Sequence, residues 1–260
     1  MRRLFIAFIA CIALPAWAGV TYEFRSTSSG MRESTLTGRV TAEGSHMRMD
    51  LTSGDDFLFK ANSFILTNDG GRTLTVFDPT AKTYYIMNLT ELVAQPGSVL
   101  GNLGGSVKFQ NPKVSVRDLG PGETISGYPT QHAVVDAEYD VAIDMMGNQM
   151  TSHMTMSTES WTTDRLDATA ANFLQTKEMR TAFADLDKLL DAQAKAINGR
   201  FPVKQVTTIH VQQGGADLQS TTTSEVSNIE KKTIAASTFQ EPTGYTKVDD
   251  PISRMMKNLK

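Results

Sequence analysis

Residues 145–156 read MMGNQMTSHMTM, five methionines and one histidine in a dozen positions. Thioether sulfur is a soft ligand suited to Cu(I), and His153 would add an imidazole nitrogen. The same flexible, polarisable side chains also line grooves that adapt to variable apolar ligands, and they fill ordinary cores. On a strand, the period of two places Met150, Met154 and Met156 on one face and Thr151 and His153 on the other. One unbulged strand therefore cannot direct thioethers and imidazole at the same ion. Copper site, groove lining and core packing stand as three open readings.

Other candidate chemistry is sparse. His46, His132, His153 and His210 fall on separate strands without H-x-H or H-E-x-x-H spacing, so no metal site is assigned. Asp55-Asp56 and Asp249-Asp250 sit at turn and helix-cap positions. No G-x-S-x-G elbow, P-loop or dinucleotide fingerprint is present. Trp161, at the end of the methionine strand, is either a flank of a pocket mouth or a packed aromatic. A non-catalytic protein without a cofactor is the expectation.

The chain opens MRRLFIAFIACIALPAWAG, two arginines, an apolar run, Pro15 and then Ala16-Trp17-Ala18. This is the order of a secretory signal peptide cut after Ala18, and the run is too short to span a bilayer. The single cysteine, Cys11, lies inside it. Acylation of Cys11 is the competing reading, for which Phe8-Ile9-Ala10 is a poor lead. Cleavage would remove Arg2 and Arg3 and no acidic residue, taking the formal charge from −3 to about −5. No basic field remains to offset phosphate, so nucleic acid is not an expected partner. A periplasmic location and one domain over residues 19–250 follow.

The elements that must position any site are mostly strands. VTYEFRS, MRMDL and DFLFK alternate, with Tyr22 and Phe24, then Met47, Met49 and Leu51, then Phe57 and Phe59 on single faces. SFILTN, TLTVFD and TYYIMN are apolar on both sets and predict strands covered on both faces. Their connections, NDGGR and DPTAK, carry turn chemistry. Residues 89–105 predict a short helix and a glycine-rich connection. A second set of strands then leads through YPTQHAVVDAEYDVAIDM into the methionine strand as a long hairpin. Helical spacing appears in LDATAANFLQ and in AFADLDKLLDAQAKAING, where Phe183, Leu186, Leu190, Ala194 and Ile197 form a stripe ended by Asn198-Gly199. FPVKQVTTIHVQQ and LQSTTTSEVSNIEKK resume the strands. Residues 251–260 predict a basic amphipathic helix capped by Asp249 or Asp250, which fits an anionic membrane surface, a groove or its own domain.

This pattern implies an α+β, mainly β protein, a curved antiparallel sheet with helices on its concave face. The order of signal peptide, meander ending in FDPTAKTYYIMN, central helices, GRFPVKQVTTIHV and a closing F-x-x-P-x-G-Y (Phe239, Pro242, Gly244, Tyr245) resembles the LolA-like superfamily of periplasmic half-barrels. Within that superfamily it resembles members known only as a domain of unknown function. The resemblance implies an incomplete barrel whose concave apolar face holds acyl chains, as in carriers of outer-membrane lipoproteins. A groove lined by Phe57, Phe59, Val76, Met150, Met154, Met156, Leu186 and Leu190 is the expected binding site for a lipid or acyl chain. Two alternatives use the same fold: an envelope module that captures a protein partner, and periplasmic Cu(I) binding through the methionine hairpin.

Overall fold

The computed structural model describes residues 19–54, 59–88, 105–145, 147–166, 183–251 and 253–254. The expected signal peptide, Phe57 with the Asp55-Asp56 pair, the 89–104 connection, all but Leu166 of the first predicted helix, and most of the 251–260 tail lie outside the described residues.

Among the described residues twelve strands form a single sheet: β1 (Gly19–Gly30), β2 (Ser34–Glu43), β3 (His46–Ser53), β4 (Phe64–Thr67), β5 (Thr73–Asp78), β6 (Thr83–Asn88), β7 (Gly105–Pro121), β8 (Gln131–Met145), β9 (Asn148–Thr163), β10 (Phe201–Gln213), β11 (Ala216–Lys232) and β12 (Thr246–Lys247). Their order is β12-β6-β5-β4-β3-β2-β1-β11-β10-β9-β8-β7. Sequential hairpins build each half, and the pairing of β1 with β11 joins the two into one large, open, curved sheet. The expected mainly β half-barrel is what the chain forms.

Local chemistry sets the turns. In NDGGR, Asp69 Oδ1 accepts hydrogen bonds from the Thr67 hydroxyl at 2.9 Å and the Thr73 N–H at 3.0 Å. Gly70 and Gly71 take φ of 74° and 92° there, a region that costs glycine nothing. In the methionine hairpin Met145 pairs with Asn148, and Gly147 has φ 85°.

Register then sorts side chains between two faces. Tyr22, Val40, Met49, Ile65 and Val76 are paired each with the next across five strands, and all five are buried on the inner face. The outer face of the same strands carries Glu23, Arg39, Arg48 and Asp50, joined by Arg39–Glu23 and Arg48–Asp50 ion pairs at 2.9 and 2.7 Å. Exposed pairs of this kind add little stability. Burial of the inner row stabilises the sheet far more.

The expectation that the central strands are covered on both faces holds for β4 and β5 and fails for β6, where Ile86 is exposed at the end of the meander. Phe64, Leu66 and Phe77 point outward from β4 and β5 and are buried beneath Tyr84 and Tyr245. The Phe64 and Phe77 rings stack at 4.7 Å, and Tyr245 meets both edge-on at 6.4 and 5.3 Å. The closing F-x-x-P-x-G-Y segment is thus a strap across the outer face. Phe239 is buried against His46, Gly244 takes φ 83°, and β12 pairs parallel to β6.

Among the described residues the helix α1 (Ala184–Ile197) packs on the inner face of β7, β8 and β9. Asn198 ends it at φ 50°, with its N–H donated to the Ala194 carbonyl. The buried leucine is Leu189, packed with Leu186, Ala192 and Ala196 against Val135, Ala137, Val114, Tyr139 and Met156. Of the predicted stripe, Phe183 packs on Phe109, Leu186 packs on the sheet and Ile197 is buried, while at its centre Leu189 takes the place expected of Leu190, which is half-buried. Ala192 and Ala196, three and seven residues beyond Leu189, present small side chains on that face and let the helix lie close to the sheet.

The C-terminal cap forms as expected. Asp250 Oδ1 accepts from the Ser253 N–H at 2.9 Å, and Arg254 N–H donates to the Asp250 carbonyl at 3.0 Å. Among the described residues no helix is long and apolar enough to cross a membrane.

Candidate functional site: an apolar cavity on the inner face

The inner face of the first half of the sheet does not close on itself. A cavity of about 250 Å³ lies over β1 to β4 and the facing ends of β10 and β11. Its walls are Tyr22 and Phe24 of β1, Leu36 and Val40 of β2, Met49 of β3, Ile65 of β4, Phe59, Val203 of β10 and Val226 of β11. The alternation of each strand supplies these side chains, since one face of an antiparallel strand takes every second residue. Phe201, fully buried, meets Tyr22 edge-on at 5.3 Å and backs this wall.

Gly38 keeps the space open. It pairs with Phe24 on one side and Leu51 on the other, and a Cβ there would lie 2.8 Å from the Phe24 ring and collide with the Asp50 carbonyl. With hydrogen in that place, the Phe24 ring lies across β2 and forms part of the lining.

Polar groups meet the cavity at one end only. Ser26, Gln205 and Ser224 line it there, and Glu225, also at the rim, lies 3.5 Å from Lys204. Burial pushes the Tyr22 phenol well above its ordinary range. It stays neutral at any physiological pH.

The groove residues expected from sequence are distributed over three places. Phe59 lines the cavity, and Val76 is buried one pairing beyond Ile65 in the row beneath it. Met156 and Leu186 meet under α1, where the gap between helix and sheet is about 10 Å³. That is about one water, too little for an acyl chain. Met150 is 51% exposed toward the tip of the β8–β9 hairpin, while Met154 and Leu190 are half-buried. Phe57 lies outside the described residues.

The face assignment of the methionine strand stands. His153 Nδ1 lies 2.8 Å from Asp140 on the outer face, away from Met156 beneath the helix. His46 stacks on Phe239, His132 on Trp161 at 4.3 Å, and His210 lies beside Asp217, so the four imidazoles occupy four separate sites. Trp161 is a packed aromatic with Lys204 over its ring at 4.9 Å. Among the described residues no group of three or more His, Cys, Asp or Glu side chains converges to hold a metal ion.

The outer face of the second half carries a different feature. An open cleft of about 430 Å³ runs between Lys113, Asp136, Glu138, Ser157, Thr208 and His210. Its ions are paired: Lys113 Nζ reaches Glu138 at 2.8 Å and Arg117 reaches Asp136 at 2.9 Å. The Lys113 ammonium holds the Glu138 carboxyl below its usual range, and the Asn111 amide, followed by His153, does the same for Asp140. These are solvated structural ion pairs.

Sequence reading placed Tyr22, Phe24 and Met49 on buried strand faces without assigning them to a site. Leu36, Val40, Ile65, Val203 and Val226 were missed because the cavity arises from the β1–β11 pairing, between segments about two hundred positions apart.

Comparison with curated proteins finds no match. Among solved structures the chain is similar to an uncharacterized conserved protein from Thermus thermophilus, at 8% identity and a TM-score of 0.37, over 90% of this chain and 91% of that one. It is similar to a LolA superfamily protein from Nitrosomonas europaea at 11% identity and a TM-score of 0.32, over 88% and 92% of the two chains. A DUF1329 family protein from Desulfovibrio piger gives 9%, 0.30, 87% and 91% in the same order. Likenesses this slight carry no function from one chain to another, and the architecture above rests on the strand order itself. The model of a domain of unknown function, DUF4412, matches residues 33–245, and the chain belongs to that family.

Proposed function

We propose that this protein is an exported, non-catalytic binding protein that takes an acyl chain or similar apolar tail into the inner-face cavity. The observation that carries the reading is the cavity itself, about 250 Å³ walled by aromatic and aliphatic side chains on nearly every side. Binding would be driven by removal of apolar surface from water at about 25 cal/mol per Å². A tail burying about 200 Å² would gain roughly 5 kcal/mol before the cost of association. The volume sits just below the range of roughly 300–1,000 Å³ typical of drug-sized sites, which suits the end of one chain better than a whole diacyl lipid. Export rests on the MRRLFIAFIACIALPAWAG opening, and the periplasm is the compartment this reading assigns.

Native mass spectrometry of protein purified gently from a periplasmic extract, followed by denaturation of the same sample, tests the reading. Release of a phospholipid, fatty acyl compound or acylated peptide is the expected result. A bare protein that also refuses added single-chain lipids contradicts it, and a bound copper ion would transfer the function to the methionine hairpin.

A further inference from the structure

The inner face is divided. Between the apolar half over β1 to β6 and the part covered by α1, two cross-strand rows are made almost wholly of hydroxyl and amide side chains. Register places Ser26, Ser224, Gln205 and Ser160 in one row across β1, β11, β10 and β9. Ser28, Thr222, Thr207 and Thr158 form the next. Within the rows Ser26 bonds Ser224 at 2.9 Å, Ser28 bonds Thr222 at 2.8 Å, Gln205 donates to Ser160 at 3.1 Å, and Thr158 bonds Thr207 at 3.2 Å. Three of the eight side chains, Ser26, Ser224 and Gln205, also line the apolar cavity.

Two properties of this belt point to a ligand class. Neither row contains a charged side chain; the one carboxylate that reaches the cavity rim, Glu225, stands by register on the opposite face and is paired with Lys204 at 3.5 Å. In addition, a hydroxyl pair spends one donor and one lone pair on its mutual bond and retains a second donor and further lone pairs. An ionised head brought here would lose water without gaining a counter-charge, a cost of several kcal/mol. A neutral hydroxyl, ester or amide can instead exchange its water bonds for bonds to the belt at little net cost.

Resting on the reading of the cavity as an acyl-chain site, we infer that its ligand is an amphiphile with an uncharged, hydrogen-bonding head, the tail among Tyr22, Met49 and Ile65 and the head on the Ser26–Ser224–Gln205 row. The polar end makes the site selective for the head, and the apolar end leaves it tolerant of the tail.

The test is isothermal titration of the full chain at pH 8, below micelle formation, with a monoacylglycerol and with the free carboxylate and trimethylammonium of equal chain length. The monoacylglycerol is expected to bind at least about tenfold more tightly than either ion. The double substitution Ser26→Ala, Ser224→Ala is expected to weaken the monoacylglycerol roughly 2- to 10-fold per bond lost and to leave the carboxylate unchanged. Val226→Trp, at a half-buried wall position and checked for folding by circular dichroism, serves as the cavity control. Equal affinity for all three heads, abolished by Val226→Trp, overturns the head-group inference and leaves the cavity reading intact. Binding of none of them, or binding that Val226→Trp does not alter, overturns both.

Discussion

Phe59 is the expected groove residue that lines the cavity, and its half-buried ring packs at the edge of the core rather than inside it. Phe59→Ala should weaken binding of a single-chain lipid about tenfold, from loss of roughly 1–2 kcal/mol of apolar contact, while the thermal midpoint shifts little. Titration calorimetry paired with a melting curve checks both. Asp140 gives a second test at this scale. Its carboxyl is held low by the Asn111 amide and by His153, so its contribution is present above the ordinary aspartate value near 4 and is lost as pH falls through the lowered folded value. Asp140→Asn should therefore unfold at lower urea than the parent chain at pH 7, with the two midpoints converging as the pH falls below the lowered value of the Asp140 carboxyl. A difference that persists unchanged at low pH would show that the carboxylate's charge is not the source.

At the scale of elements, α1 and the closing strap make opposite demands on the sheet. The helix buries Leu189 on the inner face of β8, with Leu190 half-buried. Leu189→Ala should cost about 2–5 kcal/mol and Leu190→Ala clearly less, measured by denaturant unfolding at equal m-value. Equal costs would return the helix to the register centred on Leu190. The strap covers Phe64 and Phe77 with Tyr245, and Tyr245→Ala should cost about 3 kcal/mol and expose apolar surface that binds a hydrophobic dye. Periodicity showed these elements clearly because each is local: a stripe, a turn, or a Pro-x-Gly-Tyr segment carries its signal within a few residues. The one-residue error in α1 arose because Leu189 and Leu190 are adjacent, and spacing alone cannot choose which faces the sheet.

The whole molecule is a sheet whose two faces are assigned by register, charge outward and apolar or hydroxyl inward, with a helix at one end of the inner face and a cavity at the other. The curved, mainly β plan and the double covering of β4 and β5 were legible from alternation and from the apolar runs FILT and TLTVF. The position of the cavity was not. It depends on β1 meeting β11, a pairing with no local signature, and on Gly38 leaving room for Phe24. The methionine hairpin is the most conspicuous run in the sequence, yet among the described residues the wall of the cavity is built mainly from Tyr, Phe, Leu, Val and Ile, with Met49 the one methionine lining it. The hydroxyl belt has no signature in LQSTTTSEVSNIEKK by itself, since only its cross-strand partners on β1, β10 and β9 fix which face it occupies.

Photo-crosslinking with a monoacylglycerol carrying a diazirine near the end of its chain, mapped by peptide mass spectrometry, tests the central claim most directly. Label on the strands carrying Tyr22, Leu36, Met49, Ile65 and Val203, competed by unlabelled lipid, is the expected result. Label confined to the Met150–Met156 hairpin or to the outer-face cleft around Lys113 and His210, or no competable label at all, would contradict an inner-face acyl-chain site.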